Sequence, residues 1–527
     1  MLGNIGRVAL VLFVGLAAVL FQLMRLPPAV ATSDQVQGRN NTALFIVNTL
    51  AGLHNVHMAT IQALQEKHPH VKVHVLSWAE IEPKVKSLGA GVEFHALAGQ
   101  SYMEAVLEAT RGSPLADFAH ALTVSGWLTV GSHMQLWMSP WSGPNYLDLM
   151  REMGDVMDRL DPAVVVLDSF MWPGIDTARE KKRLHAFIVP NMLTDNFIYL
   201  QPWLGGYWKV PALSSNLPFP IPWSKIPLNV VHSLVMRYGL SWTPKLRSTK
   251  AYVLSNGVRH TRSSDFYDIY RPDTPWITQT LPEASLPVDY IPPNVTCTGP
   301  IVSYSPPLAE QDSELAAWLQ NGPTVLINLG NTVSYDEKRA GAFIGALSSL
   351  LESRLSLQVL WKFQKAGAYS DDVFGAVRKY MDSGRLRVVS WLEAGPVALL
   401  ETGHVKAFVH HGGAGSYYDG IMSNYITNTS DGSSGVPHIV LPLWADHYNI
   451  ASLVEYLHIG VQGCKETIPD WTSECLAGAI SGVLDESETS QKMRGRAQEI
   501  GRIARASPGR HGAAQIVAKL AGTGHTG

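Results

Sequence analysis

The chain has 527 residues, 46% of them apolar and 16% charged, the composition of a well-buried globular protein too long for a single core. A formal net charge of -3 and the lack of any basic tract leave no electrostatic case for nucleic acid and point to small-molecule partners. The 3 cysteines, Cys297, Cys464 and Cys475, cannot all pair within one chain, so disulfides are not the framework, although Cys464 with Cys475 is an available pairing.

At the N-terminus an apolar segment, residues 8–24, follows Arg7 and is followed in turn by Arg25 and Ala29-Val30-Ala31. Residues 1–31 therefore read as a signal peptide cleaved after Ala31 or as an uncleaved signal anchor, the apolar length lying at the lower limit for crossing a bilayer. The anchor fits better, because the apolar core is long for a signal peptide and Arg25 and two prolines separate it from the A-x-A. The expected location is then the membrane of the endoplasmic reticulum or secretory pathway, single-pass at the N-terminus, or outside the cell if the signal is cleaved. Entry there would make Asn40, Asn294 and Asn428, each in an N-x-S/T sequon, glycan acceptors.

From Ala43 onward, short apolar runs alternate with amphipathic helices. The pattern predicts strands over 43–48, 71–77, 163–167 and 186–189 and a helix over 58–67, which together make a parallel sheet covered on both faces. The loop after the first strand holds His54 and His57; an imidazole titrates near neutral pH and can take a proton from a hydroxyl, with His54 the first candidate and His57 its rival. Asp168 falls at the end of another strand, where it either orients a histidine base or caps the following helix. Residues 197–238 break the alternation and are dense in proline and aromatics, including Trp203, Tyr207, Trp208, Phe219, Trp223 and Tyr238. Prolines forbid a continuous helix there; the aromatics serve either an apolar acceptor or membrane surface, or packing over the core.

Residues 281–307 are proline-rich, as a connector should be, and the strand pattern restarts at 324–329, 357–362, 386–389, 407–409 and 439–443. Two doubly wound units follow, 32–290 and 311–527, with a linker over 291–310. In the second, the apolar strand over 407–409 runs through His410 into His411-Gly412-Gly413-Ala414-Gly415-Ser416 at a predicted helix start, where bare backbone N–H groups and the helix dipole favour a phosphate. A further strand ends in Asp446 and His447, at the carboxyl edge where parallel sheets bind ligands.

Trp391, His411-Gly412-Gly413 to Ser416, Asp419, Gly435-Val436-Pro437 and Asp446-His447 together resemble the donor signature of the family 1 glycosyltransferases, the UDP-glucuronosyl/UDP-glucosyltransferases, in fungal form. The resemblance implies an α/β chain of GT-B architecture: two Rossmann-like domains facing a cleft, the N-terminal one for the acceptor and the C-terminal one for the UDP-sugar. It further implies that Trp391 stacks on uracil, that His411, Gly413, Ser416 and Thr332 meet the diphosphate, that Asp419 holds the ribose, and that Asp446 and His447 hold sugar hydroxyls. His54 matches the family's catalytic histidine and Asp168 its partner. Ala414-Gly415 and His447 depart from the usual residues, and the stretch from Asp419 to Gly435 is longer than usual, with 425–434 reading as an inserted loop that would disturb the donor site.

The implied reaction is inverting transfer of a hexosyl group, glucose favoured, from a UDP-sugar to a hydroxyl of a small hydrophobic acceptor such as a sterol, lipid or secondary metabolite. No cofactor is expected beyond the UDP-sugar co-substrate. No metal is expected either: the chain has no D-x-D, and His404, His410 and His411 lack a completing ligand. The inserted loop and the unusual Gly415 leave an alternative, a non-catalytic, membrane-tethered protein that binds sugar nucleotides.

Overall fold

The computed structural model describes residues 35–110, 119–120, 122–241, 244–259, 269–423 and 435–525. The apolar segment 8–24, the Asn428 sequon and the inserted loop 425–434 lie outside these residues. Among those described, no helix is long and apolar enough to cross a membrane.

Among the described residues, thirteen strands form two sheets. In the first unit these are β1 (Arg39–Ile46), β2 (Lys72–Ser77), β3 (Val92–Ala96), β4 (Pro162–Leu167), β5 (His185–Val189), β6 (Trp276–Thr278) and β7 (Val295–Cys297). In the second they are β8 (Thr324–Ile327), β9 (Gln358–Lys362), β10 (Leu386–Val389), β11 (Val405–His410), β12 (His438–Val440) and β13 (Gly460–Gln462). The orders are β3-β2-β1-β4-β5-β6-β7 and β10-β9-β8-β11-β12-β13, with every pairing parallel. Each sheet therefore reverses its winding once, between β1 and β4 in the first and between β8 and β11 in the second. Loops leaving neighbouring strands diverge at such a point and open a crevice at the carboxyl edge.

Burial on both faces explains why the central strands read as continuous apolar runs. Leu44, Ile46, Leu76, Val165 and Leu167 pack against Tyr146, Met150 and Met153 of helix Gly143–Leu160. On the other face, Ala43, Phe45, Val73, Val75 and Val164 meet Val56 and Ile61 of helix Ala51–Lys67, along with Ala514, Val517 and Ala521 of helix Gly509–Ala521. The sequence boundaries are corrected in two places. Val295–Cys297, inside the expected linker, is the seventh strand of the first sheet, because its register with β6 continues the ladder. The last helix, expected in the second unit, crosses back to cover the first, because its alanine and valine face has its apolar partners there.

The two units are packed directly on each other. Tyr417, Tyr418 and Ile421 of helix Ala414–Ser423, with Ile450 and Leu453 of helix Asp446–Tyr456, share one cluster with Met192, Val210, Ala284 and Leu286 of the first unit. Across this seam the Tyr417 hydroxyl donates to the Ala284 carbonyl at 2.8 Å, Ser214 N–H to the Ala445 carbonyl at 3.1 Å, and the Gln462 amide to Asn216 Oδ1 at 2.7 Å.

The aromatic segment 197–238 divides residue by residue. Asn229, fully buried, donates to the Tyr207 and Val210 carbonyls and accepts from Ala212 N–H, so the proline-broken chain folds around one amide while Tyr207 is buried. Trp203 at 90% and Trp223 at 83% exposure instead face solvent. Cys464 and Cys475 form a disulfide, leaving Cys297 free. Asn294, expected as a glycan acceptor, has its amide nitrogen donating to the Arg271 and Thr274 carbonyls, so that nitrogen is bonded into the fold.

Tyr417→Phe keeps the ring and strips the buried seam carbonyl of its donor. Urea denaturation should show a loss of about 1–3 kcal/mol, the cost of leaving one buried polar group unsatisfied.

Candidate active site

The first unit's side of the crevice is built at the first switch point. Asn48 follows β1, and its side-chain oxygen accepts Leu50 N–H at 2.9 Å, turning the chain into helix Ala51–Lys67. His54 lies in that helix's first turn, buried, with its Nδ1–H donating to the Asn48 carbonyl at 3.1 Å. That bond leaves Nε2 as the lone-pair nitrogen, and Lys84 Nζ donates to it at 3.2 Å. Burial, reinforced by the Lys84 charge, holds the His54 imidazole down at about 3, so it is neutral at working pH. His57 lies one turn on, wholly buried and edge-on to Phe45, which places it in the core and removes it as the base.

Asp168 follows β4, next to β1, and has no exposure. Its Oδ2 accepts Asn48 N–H at 3.0 Å and its Oδ1 accepts Phe170 N–H at 2.6 Å. Burial pushes the carboxyl up to about 7 against the pull of these donors. The direct His54–Asp168 pair expected from the sequence is not formed. Asp168 spends both oxygens on backbone, the His54 Nδ1 proton goes to the Asn48 carbonyl, and the two side chains communicate only through the Asn48 peptide.

On the other side, the loops after β8 and β11 meet at the second switch point. His411, the first residue after β11, is wedged between two glycines. A methyl group on Gly330 (φ +83) would stand 2.8 Å from His411 Cε1, and one on Gly413 2.5 Å from its Nε2. Both positions thus need glycine for space, and Gly330 for its backbone as well. The His411 ring stands perpendicular to His447 at 4.6 Å, and Nδ1 of each is buried with no hydrogen-bond partner among the described residues. Helix Ala414–Ser423 begins beside them, so Ser416 sits in a first turn whose N–H groups have no intrahelical acceptor. His410 points the opposite way: its Nδ1 accepts Gly412 N–H, and its Nε2 lies 2.9 Å from His438, fixing the glycine turn from beneath.

Thr332 lies in the half-buried loop after β8, and Trp391 after β10 is 53% exposed. Between them sits a residue that the sequence reading passed over. Lys362, at the end of β9, donates to the Gly330 carbonyl at 3.2 Å and to Asn331 Oδ1, lies 4.5 Å over the Trp391 ring, and projects its charge onto His411. A lysine ending an apolar strand, one strand from the glycine loop, was the available signal.

Two more charged contacts close the crevice. Asp419 of helix Ala414–Ser423 is pushed up to about 7 by burial, and the Lys84 charge from the first unit opposes this. Burial lowers Lys84 in turn, and Asp419 is the opposing charge. Asp446 begins helix Asp446–Tyr456 and faces Asp195 of the first unit; burial pushes both carboxyls up, and the Asp446 charge raises Asp195 further. Neither Lys84 nor Asp195 carries a motif, because each acquires its neighbours only when the units meet.

Comparison with known proteins is decisive at this point. The sequence profile described as UDP-glucoronosyl and UDP-glucosyl transferase matches residues 226–494. The glycosyltransferase sdnJ of Sordaria araneosa is 32% identical over 450 residues, covering 82% of this chain and 85% of its own. This chain belongs to the UDP-glycosyltransferase family. A mouse relative, 2-hydroxyacylsphingosine 1-beta-galactosyltransferase, is 24% identical over 248 residues, 47% of this chain and 39% of that one. Among solved structures, Os79 from O. sativa in complex with U2F and trichothecene aligns with a TM-score of 0.60 at 14% identity, covering 91% of this chain and 100% of that one. A UDP-glucosyltransferase from Polygonum tinctorium aligns at 0.58 and 16% identity, covering 92% and 99%. These show the GT-B fold.

As a UDP-glycosyltransferase the chain is an enzyme that moves a sugar from a UDP-sugar, and the binding-only alternative is disfavoured. Asp168→Asn tests what the carboxylate does. An amide offers one oxygen where two N–H groups need acceptors, so stability should fall by roughly 1–3 kcal/mol along with turnover. A loss of turnover with unchanged denaturation would restore the direct histidine partner.

Proposed function

We propose that this enzyme performs inverting transfer of a hexosyl group, glucose in the first instance, from UDP to a hydroxyl of a small hydrophobic acceptor, with His54 as the base. The observation that carries the reading is the His54 tautomer. The Asn48 carbonyl holds the proton on Nδ1, which leaves the Nε2 lone pair directed toward the interdomain crevice beside Lys84. A hydroxyl entering there would replace the Lys84 contact, give its proton to Nε2 and attack the anomeric carbon, while UDP departs from the opposite face.

The departing diphosphate would meet the glycine turn, the N–H groups at the start of helix Ala414–Ser423, the buried Lys362 cation and His411. Uracil would stack on the exposed side of Trp391, the ribose would bond Asp419, and the sugar hydroxyls Asp446 and His447. No sugar-nucleotide cofactor role is needed beyond that of co-substrate. For the acceptor, a small cavity of about 20 Å³ lies beside Asp195, lined by Ile198, Tyr199, Pro211, Met236 and Asn449. The apolar residues around it, with exposed Trp203 and Trp223 in the same segment of chain, favour a hydrophobic acceptor that would have to widen this space on binding.

An acceptor screen with labelled UDP-glucose tests the reading. His54→Ala should lower kcat by about 10²–10⁴-fold with UDP affinity retained, as loss of a general base requires; an unchanged rate would remove His54 from the chemistry.

Lys84 gives a pH signature. Its charge depresses His54 and also depresses Asp419, so Lys84→Met lets both groups rise. Each then takes up its proton at a higher pH, and the acid limb of the kcat/KM profile should move upward in pH. A limb that stays in place would separate Lys84 from both groups.

A further inference from the structure

The β2–β3 edge of the first sheet carries a cluster that the transfer chemistry does not use. His74 of β2 is directly opposite Glu93 of β3, and His95, two residues farther along β3, is opposite Leu76. Residues two apart on a strand share a face, so all three side chains project from the same side of the sheet. His74 Nδ1 lies 3.1 Å from His95 Nε2 and 3.3 Å from Glu93 Oε2, and the three ligand atoms all fall within 4.8 Å of one another.

We propose that His74, Glu93 and His95 form a binding site for a divalent transition metal of the zinc class, tying the edge strand β3 to β2. Tetrahedral bonds of about 2.0–2.1 Å separate neighbouring ligand atoms by roughly 3.3 Å, close to the spacing found here. Two imidazole nitrogens and a carboxylate are a zinc-type donor set, and the exposed Glu93 leaves a fourth position toward water. Glu93 supplies the negative charge of the set, while Lys72 and Arg159, whose charges reach His74 and His95, repel a cation. That repulsion should hold the affinity below that of a four-ligand structural site. Because β2 stands between this cluster and β1, whose loop carries His54, the site is structural and separate from sugar transfer.

Calorimetric titration of untagged, chelator-treated full-length chain with zinc chloride tests the site. The expected result is one equivalent bound at micromolar or tighter affinity, weakened by about tenfold or more in Glu93→Gln and in His95→Ala. Zinc should raise the melting temperature of the parent but not of the variants, and both variants should keep the parent's activity on the UDP-sugar. Absence of saturable binding, or binding equal in parent and variants, overturns the proposal and leaves a hydrogen-bonded histidine pair. Because Glu93 is exposed, its amide variant keeps the fold and the comparison remains readable.

Discussion

The first unit's half of the crevice hangs on one buried carboxylate. Asp168 accepts one N–H from the loop after β1 and one from the loop after β4, fastening together the two chains that part at the switch point. Asn48, held by its own N–H in this way, holds the His54 ring by its carbonyl. Position and tautomer of the His54 ring thus pass from carboxylate to peptide to imidazole. A side chain that satisfied only one donor would release the loop without touching His54 itself.

Burial is the second organising effect, and here it acts on ions. His54 and His411 are driven neutral, whereas Asp168 and Asp419 are raised toward neutrality, because the joined units exclude water from the groups between them. Lys84 and Lys362 stand in the same medium, each lowered by burial and each beside residues the family resemblance assigns to substrate. A diphosphate carried into that surrounding would meet cations whose attraction is little screened. The seam of Tyr417, Ile450 and Ala284 is therefore part of the electrostatics, since it keeps that space dry.

Much of this was legible in the chain itself. Continuous apolar runs such as 163–167 and 186–189 matched β4 and β5 because strands buried on both faces must be apolar throughout. The glycine turn after β11 was legible because its backbone runs too close to the His411 ring for a side chain, and the acid after β12 because it stands at the carboxyl edge of the sheet. The linker boundary was misplaced because Val295–Cys297 is too short to be recognised without its partner β6. The Asp168–His54 contact was misassigned because proximity at a switch point does not say which lone pair receives which proton.

The sequence by itself determined two parallel sheets, the glycine cradle with its flanking Trp391, Asp419 and Asp446, and a histidine at the first strand's exit, since each follows from local periodicity or a steric demand of the backbone. Only the tertiary structure decided that Lys84 of one unit faces His54 and Asp419, that Asp195 faces Asp446, and that the last helix returns to the first sheet. These partners are far apart along the chain, and no local pattern encodes a pairing that comes into being when two surfaces close on each other.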